Sequence, residues 1–171
     1  MKIDLKKLTA SQHASIPFSE TIDLREETLY GVKPFQSPVQ MSGEVSGESG
    51  ILRLKGTIKT IYSTACARCL KPLQVLLTAE VDTVLSDDPD AEEEDDLFVL
   101  TGDSVDPADV MVPALILQVQ MTYLCKEDCK GLCPHCGADR NEVDCDCESK
   151  QIDPRFAALR ALLDSGEDER N

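Results

Sequence analysis

Between Val39 and Leu85 apolar and polar residues alternate with a period of two over three stretches, separated by glycines and by a cysteine pair. Val39, Met41 and Val45 share a face of the first stretch, and Gly47-Glu48-Ser49-Gly50 reads as a turn. In the second, Leu52, Leu54, Ile58 and Tyr62 lie opposite Arg53, Lys55, Thr57, Lys59 and Ser63. In the third, Leu73, Val75, Leu77, Ala79, Val81 and Leu85 point inward, opposite Gln74, Thr78, Glu80 and Asp82. One apolar and one polar face is the pattern of an antiparallel sheet covered on one side. The segments therefore predict an antiparallel β-meander, a partly open, barrel-like sheet whose inner face needs a cover.

That cover is predicted downstream. Asp106-Pro107-Ala108-Asp109 supplies a capping side chain, proline at the first helical position and an acid in the first turn. Apolar residues from Val110 to Leu124 lie almost all round the helix that follows, which predicts burial against the sheet. Pro113 removes one backbone donor within it, so a kink or a restart is expected there. A second helix begins at Asp153-Pro154, carries a stripe of Phe156, Leu159, Leu162 and Leu163, and ends at Gly166. The first 38 residues contain Pro17, Pro34 and Pro38 and show no firm period, although Ile3-Asp4-Leu5 and Thr21-Ile22-Asp23-Leu24 suit short strands, as does Leu97-Phe98-Val99-Leu100. The fold class is α+β. Residues 1–124 form a sheet core with an acidic loop at 86–96 and the buried helix, and residues 125–171 a cysteine-rich ribbon with a C-terminal helix, the two integrated as one domain.

Composition changes this picture in two ways. The 171 residues include four Phe, three Tyr and no Trp, so the core depends on aliphatic side chains. The 17 basic and 32 acidic residues give a net charge of −15, unevenly distributed. Eight of the ten residues from Asp87 to Asp96 are acidic, the mark of a solvated loop. Ile51 to Ala79, by contrast, carries Arg53, Lys55, Lys59, Arg68 and Lys71 and no acid, so an anion-binding face is sought there. No apolar run approaches the roughly 20 residues that span a bilayer. The alternating N-terminus is not a signal peptide, and the expected location is the cytoplasm.

Eight cysteines fall at short spacings: Cys66-x-x-Cys69, Cys125-x-x-x-Cys129, Cys133-x-x-Cys136 and Cys145-x-Cys147. In a reducing compartment such pairs favour metal thiolates over disulfides. Two sulfurs converge from one turn, and a second pair completes a tetrahedron. Cys133, Cys136, Cys145 and Cys147 are the tightest combination and define a distal ribbon site. Cys66 and Cys69, at a predicted hairpin tip, are left with Cys125 and Cys129 for a proximal site, although Cys129 could instead join the ribbon. Zinc at two sites is the leading reading, and iron held by four thiolates is the rival.

Other chemistries fare less well. A thioredoxin-like dithiol at Cys66–Cys69 would need the first cysteine at a helix N-terminus, whereas Leu70-Lys71-Pro72 leads into a strand. The two histidines, His13 and His135, have no nucleophile or carboxylate arranged around them, which argues against hydrolysis; a small-molecule substrate is not expected. Local RNA binding is the alternative to catalysis, by Arg53, Lys55, Lys59, Arg68 and Lys71, with Lys126, Lys130 and Arg140 beside the later cysteines. Against it, these cations could merely pair across strands, Lys55 with Asp82 for example. An acidic chain of this kind could equally hold a basic protein.

Cys66-Ala67-Arg68-Cys69-Leu70-Lys71-Pro72-Leu73, the run from Leu124 to Gly137, Cys145-Asp146-Cys147 and Asp153-Pro154-Arg155-Phe156-Ala157-Ala158-Leu159 together resemble the YceD family, the large ribosomal RNA subunit accumulation proteins of bacteria. The resemblance covers nearly the whole chain and departs from the family at Val112-Pro113-Ala114. It implies a non-catalytic role in ribosome assembly, with precursor large-subunit RNA or a ribosomal protein as partner. Family members lacking the Cys-Pro-x-Cys-Gly turn imply a proximal site that forms without the distal one.

Overall fold

The structure, a computed structural model, describes residues 2–9, 14–48, 50–88 and 97–147. The C-terminal helix read at Asp153 and most of the acidic loop lie outside the described residues. The elements are β1 (Ile3–Asp4), α1 (Lys6–Thr9), β2 (Ala14–Ile22), β3 (Val39–Glu48), β4 (Ile51–Ala65), β5 (Pro72–Ser86), β6 (Leu97–Val99), β7 (Ser104–Val105) and α2 (Pro107–Leu117). Two compact units result, one of Met1–Ala67 with Lys71–Cys125, the other of Arg68–Leu70 with, among the described residues, 126–147.

The first unit holds a five-stranded sheet in the order β2-β3-β4-β5-β6. The pairs from β2 to β5 are antiparallel and β6 joins β5 in parallel. Burial alternates as a one-sided sheet requires: Leu54, Ile58, Thr60 and Tyr62 are buried on β4 while Arg53, Lys55 and Lys59 are exposed, and on β5 Leu77, Ala79, Thr83 and Leu85 are buried. β2 was not legible beyond its last residues, because Ser15, Pro17, Ser19 and Thr21 give it a weak outer face and only Phe18 is deeply buried.

α2 covers the inner face. Asp106 caps it through Oδ1, which accepts the Ala108 N–H at 3.1 Å. The helix runs through Pro113 without the restart that is one of the two outcomes expected there, and it ends at Leu117 rather than near Leu124. Pro113 lies on the exposed side, and Asp109, whose carbonyl loses a donor, is itself exposed to water, which can take that donor's place. Nor is the helix buried all round: Val110, Met111 and Leu115 face the sheet, whereas Leu117 and Met121 are 82% and 97% exposed. Met111, fully buried, sits over Gly56, where an added Cβ would lie 3.0 Å from its Cε. Gly43 pairs with Gly56 across β3 and β4, and together they create the shallow place that lets the helix approach.

Candidate metal centres and basic surface

The sheet hydrogen bonds that carry β4 into β5 hold the first cysteine pair. Ala65 pairs with Pro72, and the intervening turn closes with the Cys66 N–H donating to the Lys71 carbonyl at 2.8 Å. The Cys133–Cys136 turn repeats this geometry: the Cys133 N–H donates to the Ala138 carbonyl, five residues on, also at 2.8 Å. In each turn the residue after the second cysteine is left-handed, Leu70 with φ 60° and Gly137 with φ 74°. Glycine adopts this conformation freely, whereas leucine does so at a cost and is left 66% exposed. Two knuckles of one design therefore arise from different sequences.

The structure brings the sulfurs of Cys66, Cys69, Cys125 and Cys129 within 4.8 Å of one another, and likewise those of Cys133, Cys136, Cys145 and Cys147. Sulfurs bound tetrahedrally at about 2.3 Å lie about 3.8 Å apart, so each group can close on one ion. Cys129 falls with the first group. Its members are mostly buried, while Cys136 of the second is exposed.

Electrostatics within the second group supports a cation. The N–H groups of Cys136 and His135 donate to the Cys133 sulfur and lower its pKa to about 6. Cys147 moves the other way, up to about 12, chiefly because its thiol hydrogen-bonds to Cys136, and Cys145 is raised by its hydrogen bond to Cys133. Close thiolates cannot all ionise unaided, whereas a divalent ion makes four of them compatible. Both groups thus fit zinc or another thiophilic metal, which would crosslink the chain.

Hydrogen bonds around the first group were not legible in the sequence. Asn141, in the linker between Cys136 and Cys145, donates from Nδ2 to the Cys129 sulfur at 3.3 Å and accepts the Lys130 N–H through Oδ1 at 2.9 Å. Asp139 holds it in turn, Oδ1 accepting from Asn141 Nδ2 at 2.7 Å. Arg68 donates from Nη1 to the Cys129 carbonyl at 2.8 Å and to that of Glu127 at 3.4 Å. The close fit of Gly131, where a Cβ would meet the Arg68 carbonyl at 2.9 Å, belongs to the same arrangement.

Comparison with known proteins now decides the family. The model for the large ribosomal RNA subunit accumulation protein YceD matches residues 54–163, well over half of the chain and inclusive of all eight cysteines. The chain belongs to the YceD family. Among YceD relatives, uncharacterized protein YlbN of Bacillus subtilis is 28% identical over 95% of this chain and 96% of its own length. An uncharacterized protein of Mycobacterium tuberculosis is 32% identical over 69% of this chain, which spans 58% of it. The chloroplastic large ribosomal RNA subunit accumulation protein YCED homolog 1 of Zea mays is 26% identical over 71% of the chain, which spans 52% of it. No solved structure matches.

The cations proposed for RNA are placed unequally in this YceD-family chain. Arg53 Nε and Lys55 Nζ both bind Asp82, at 2.6 and 3.1 Å. Asp82 is held below the usual carboxylate range by Lys55 and then Arg53. Arg68 is engaged by carbonyls, Lys71 has a partner of its own, and Lys126 Nζ lies 3.9 Å from Asp128. Lys59, Lys130 and Arg140 are exposed and make no ion pair among the described residues. The first cysteine pair stands between strands β4 and β5, not at the start of a helix, so it lacks the setting of a thioredoxin-like dithiol. No helix among the described residues is long and apolar enough to cross a membrane.

Proposed function

We propose that the protein is a non-catalytic cytoplasmic factor in the assembly of the large ribosomal subunit, acting on precursor RNA through local contacts made by a metal-stabilised scaffold. The observation that carries this is the YceD match, which spans both cysteine groups and whose relatives in plants are named for the accumulation of large-subunit RNA. The described site residues support a metal-stabilised scaffold: two tetrathiolate groups, each able to hold a zinc ion. Zinc at Cys66, Cys69, Cys125 and Cys129 and at Cys133, Cys136, Cys145 and Cys147 would be structural. Lys59, Lys130 and Arg140 are the cations best placed to meet phosphate, since the other five candidates already have partners. RNA crosslinking in cells, followed by sequencing, tests the reading: sites in large-subunit precursor RNA that fade on Lys59→Ala, Lys130→Ala and Arg140→Ala substitution are expected. Absence of any large-subunit crosslink refutes RNA contact.

The ion pairs on β4 favour a second reading in which the partner is a basic ribosomal protein. With Arg53 and Lys55 both engaged by Asp82 and a net charge of −15, the field around the chain attracts cations. Stoichiometric association with purified large-subunit ribosomal proteins after nuclease treatment supports this reading, and loss of all association with nuclease excludes it.

A further inference from the structure

The chain has three tyrosines, and all three line one cavity of about 270 Å³ in the first unit. Tyr62 packs edge-on against Phe35 at 5.9 Å and lies 5.6 Å from Tyr123, ring to ring. Tyr123 is fixed by its backbone: its hydroxyl accepts the Gln120 N–H at 3.0 Å and its carbonyl the Ala67 N–H at 2.9 Å. Two of the rings thus form a rigid wall.

Tyr30 is placed differently. Leu29 and Val32 exchange both backbone hydrogen bonds, at 2.9 and 3.1 Å, around a two-residue turn in which Tyr30 has φ 53° and Gly31 φ 80°. Such a turn wants asparagine or glycine at its first central position, and tyrosine there is unfavourable. The ring gains nothing from burial either, being 77% exposed. Neither the turn nor the core accounts for a tyrosine at this position. Val32 and Met121, 57% and 97% exposed, stand on the same rim. Exposed tyrosine and methionine around a cavity are the composition of a recognition surface.

Charge selects the occupant. No lysine or arginine lines the cavity, so a phosphate entering it would find no counter-ion. A cation meets the exposed Tyr30 ring and the half-buried Tyr123 ring, backed by the buried Tyr62, together with the Gln120 and threonine side chains and the field of a chain with net charge −15. Glu27, three residues before Tyr30, makes no ion pair among the described residues. We propose that this cavity is an aromatic cage that receives an arginine side chain from a basic protein segment, the planar guanidinium stacking on the tyrosine faces. This rests on the reading that the partner is a basic ribosomal protein.

Because the chain lacks tryptophan, its intrinsic fluorescence comes from these three rings alone. The metal-loaded full chain is titrated with an arginine-rich peptide free of aromatic residues. A saturable change in tyrosine emission is expected, weaker with the lysine counterpart, and absent with an oligouridine RNA. Tyr30→Asn suits the turn, so the variant keeps or raises its melting temperature while losing about tenfold or more in peptide affinity. Met121→Gln serves as a second variant that leaves the turn untouched and weakens binding. Equal affinity of Tyr30→Asn and the unaltered chain overturns the cage, as does saturation by RNA in place of peptide, which would make the cavity a base site. A parallel assay with purified large-subunit ribosomal proteins separates the two levels: association unaffected by Tyr30→Asn removes the cage and leaves the partner reading standing, whereas peptide capture without ribosomal-protein association keeps the cage and removes that partner.

Discussion

Asp82 offers the sharpest test of whether RNA lies on the outer face of the sheet. Its carboxylate takes Arg53 and Lys55 at 2.6 and 3.1 Å, Glu44 lies opposite Lys55 on β3, and Glu80 opposite Thr57 on β5. The three cations of β4 therefore face three carboxylates and the local charge is zero. Asp82→Asn keeps the side-chain shape, removes one negative charge and releases two cations. If single-stranded precursor RNA contacts this face, two more phosphates are neutralised, and the plot of log affinity against log salt steepens by about 1.4. Between about 50 and about 200 mM salt the variant then loses about sevenfold more affinity than the unaltered chain. Anisotropy titrations of a large-subunit RNA fragment across salt measure this directly. An unchanged slope with unchanged affinity refutes the contact. A control follows from linkage: the folded pKa of Asp82 is depressed, so its pairing stabilises the fold above the ordinary carboxylate pKa and fades as pH falls through the depressed value. Any melting difference between variant and unaltered chain should accordingly be present at neutral pH and vanish in acid.

Elemental analysis of the native protein should return two metal ions per chain and, after chelation, eight titratable thiols; a colourless sample indicates zinc. Structural zinc binds with about 10 to 16 kcal/mol against total stabilities of about 5 to 15 kcal/mol, so chelation or Cys66→Ser should abolish the cooperative melt, and a fully folded metal-free protein would contradict the assignment. Asn141→Ala should release one of the two ions about 10- to 100-fold more readily to a chromogenic chelator by freeing the Cys129 sulfur, whereas equal release from the unaltered chain would show the hydrogen bond to be idle. Gly56→Ala places a Cβ 3.0 Å from Met111 Cε and 2.7 Å from the Ser42 carbonyl, an overpacking of about 1 to 3 kcal/mol. At about 2 to 4 °C per kcal/mol its melting temperature should fall by about 2 to 12 °C, and an unaltered value would deny the close approach of α2 to the sheet.

Sequence reading worked where one physical signal dominated. The alternation on β4 and β5 is visible because one face is buried and the other wet, and the cap at Asp106 announces α2 because its side chain bonds the backbone two residues on. The end of α2 was hidden: Val119, Met121, Tyr123 and Leu124 extend the apolar character beyond Leu117, yet Tyr123 and Met121 serve a cavity rim and not a helix face. Cysteine spacing exposed the knuckles and put Cys129 in the proximal group with the ribbon as an alternative, and its sulfur lies with those of Cys66, Cys69 and Cys125. The strand register made the pairing of Lys55 with Asp82 legible, and the structure adds Arg53 to the same carboxylate from 29 positions away; what the chain did not disclose was Arg68 bracing the Cys129 carbonyl from 61. Those contacts give several of the cations read as nucleic-acid ligands a partner within the chain.

The borders of the five-stranded sheet bear on self-association. β6 presents only three residues, and β2 carries Pro17, which has no N–H to offer, in the middle of its nine. Such margins are poor templates for a strand from another chain, which disfavours edge-to-edge association through this sheet.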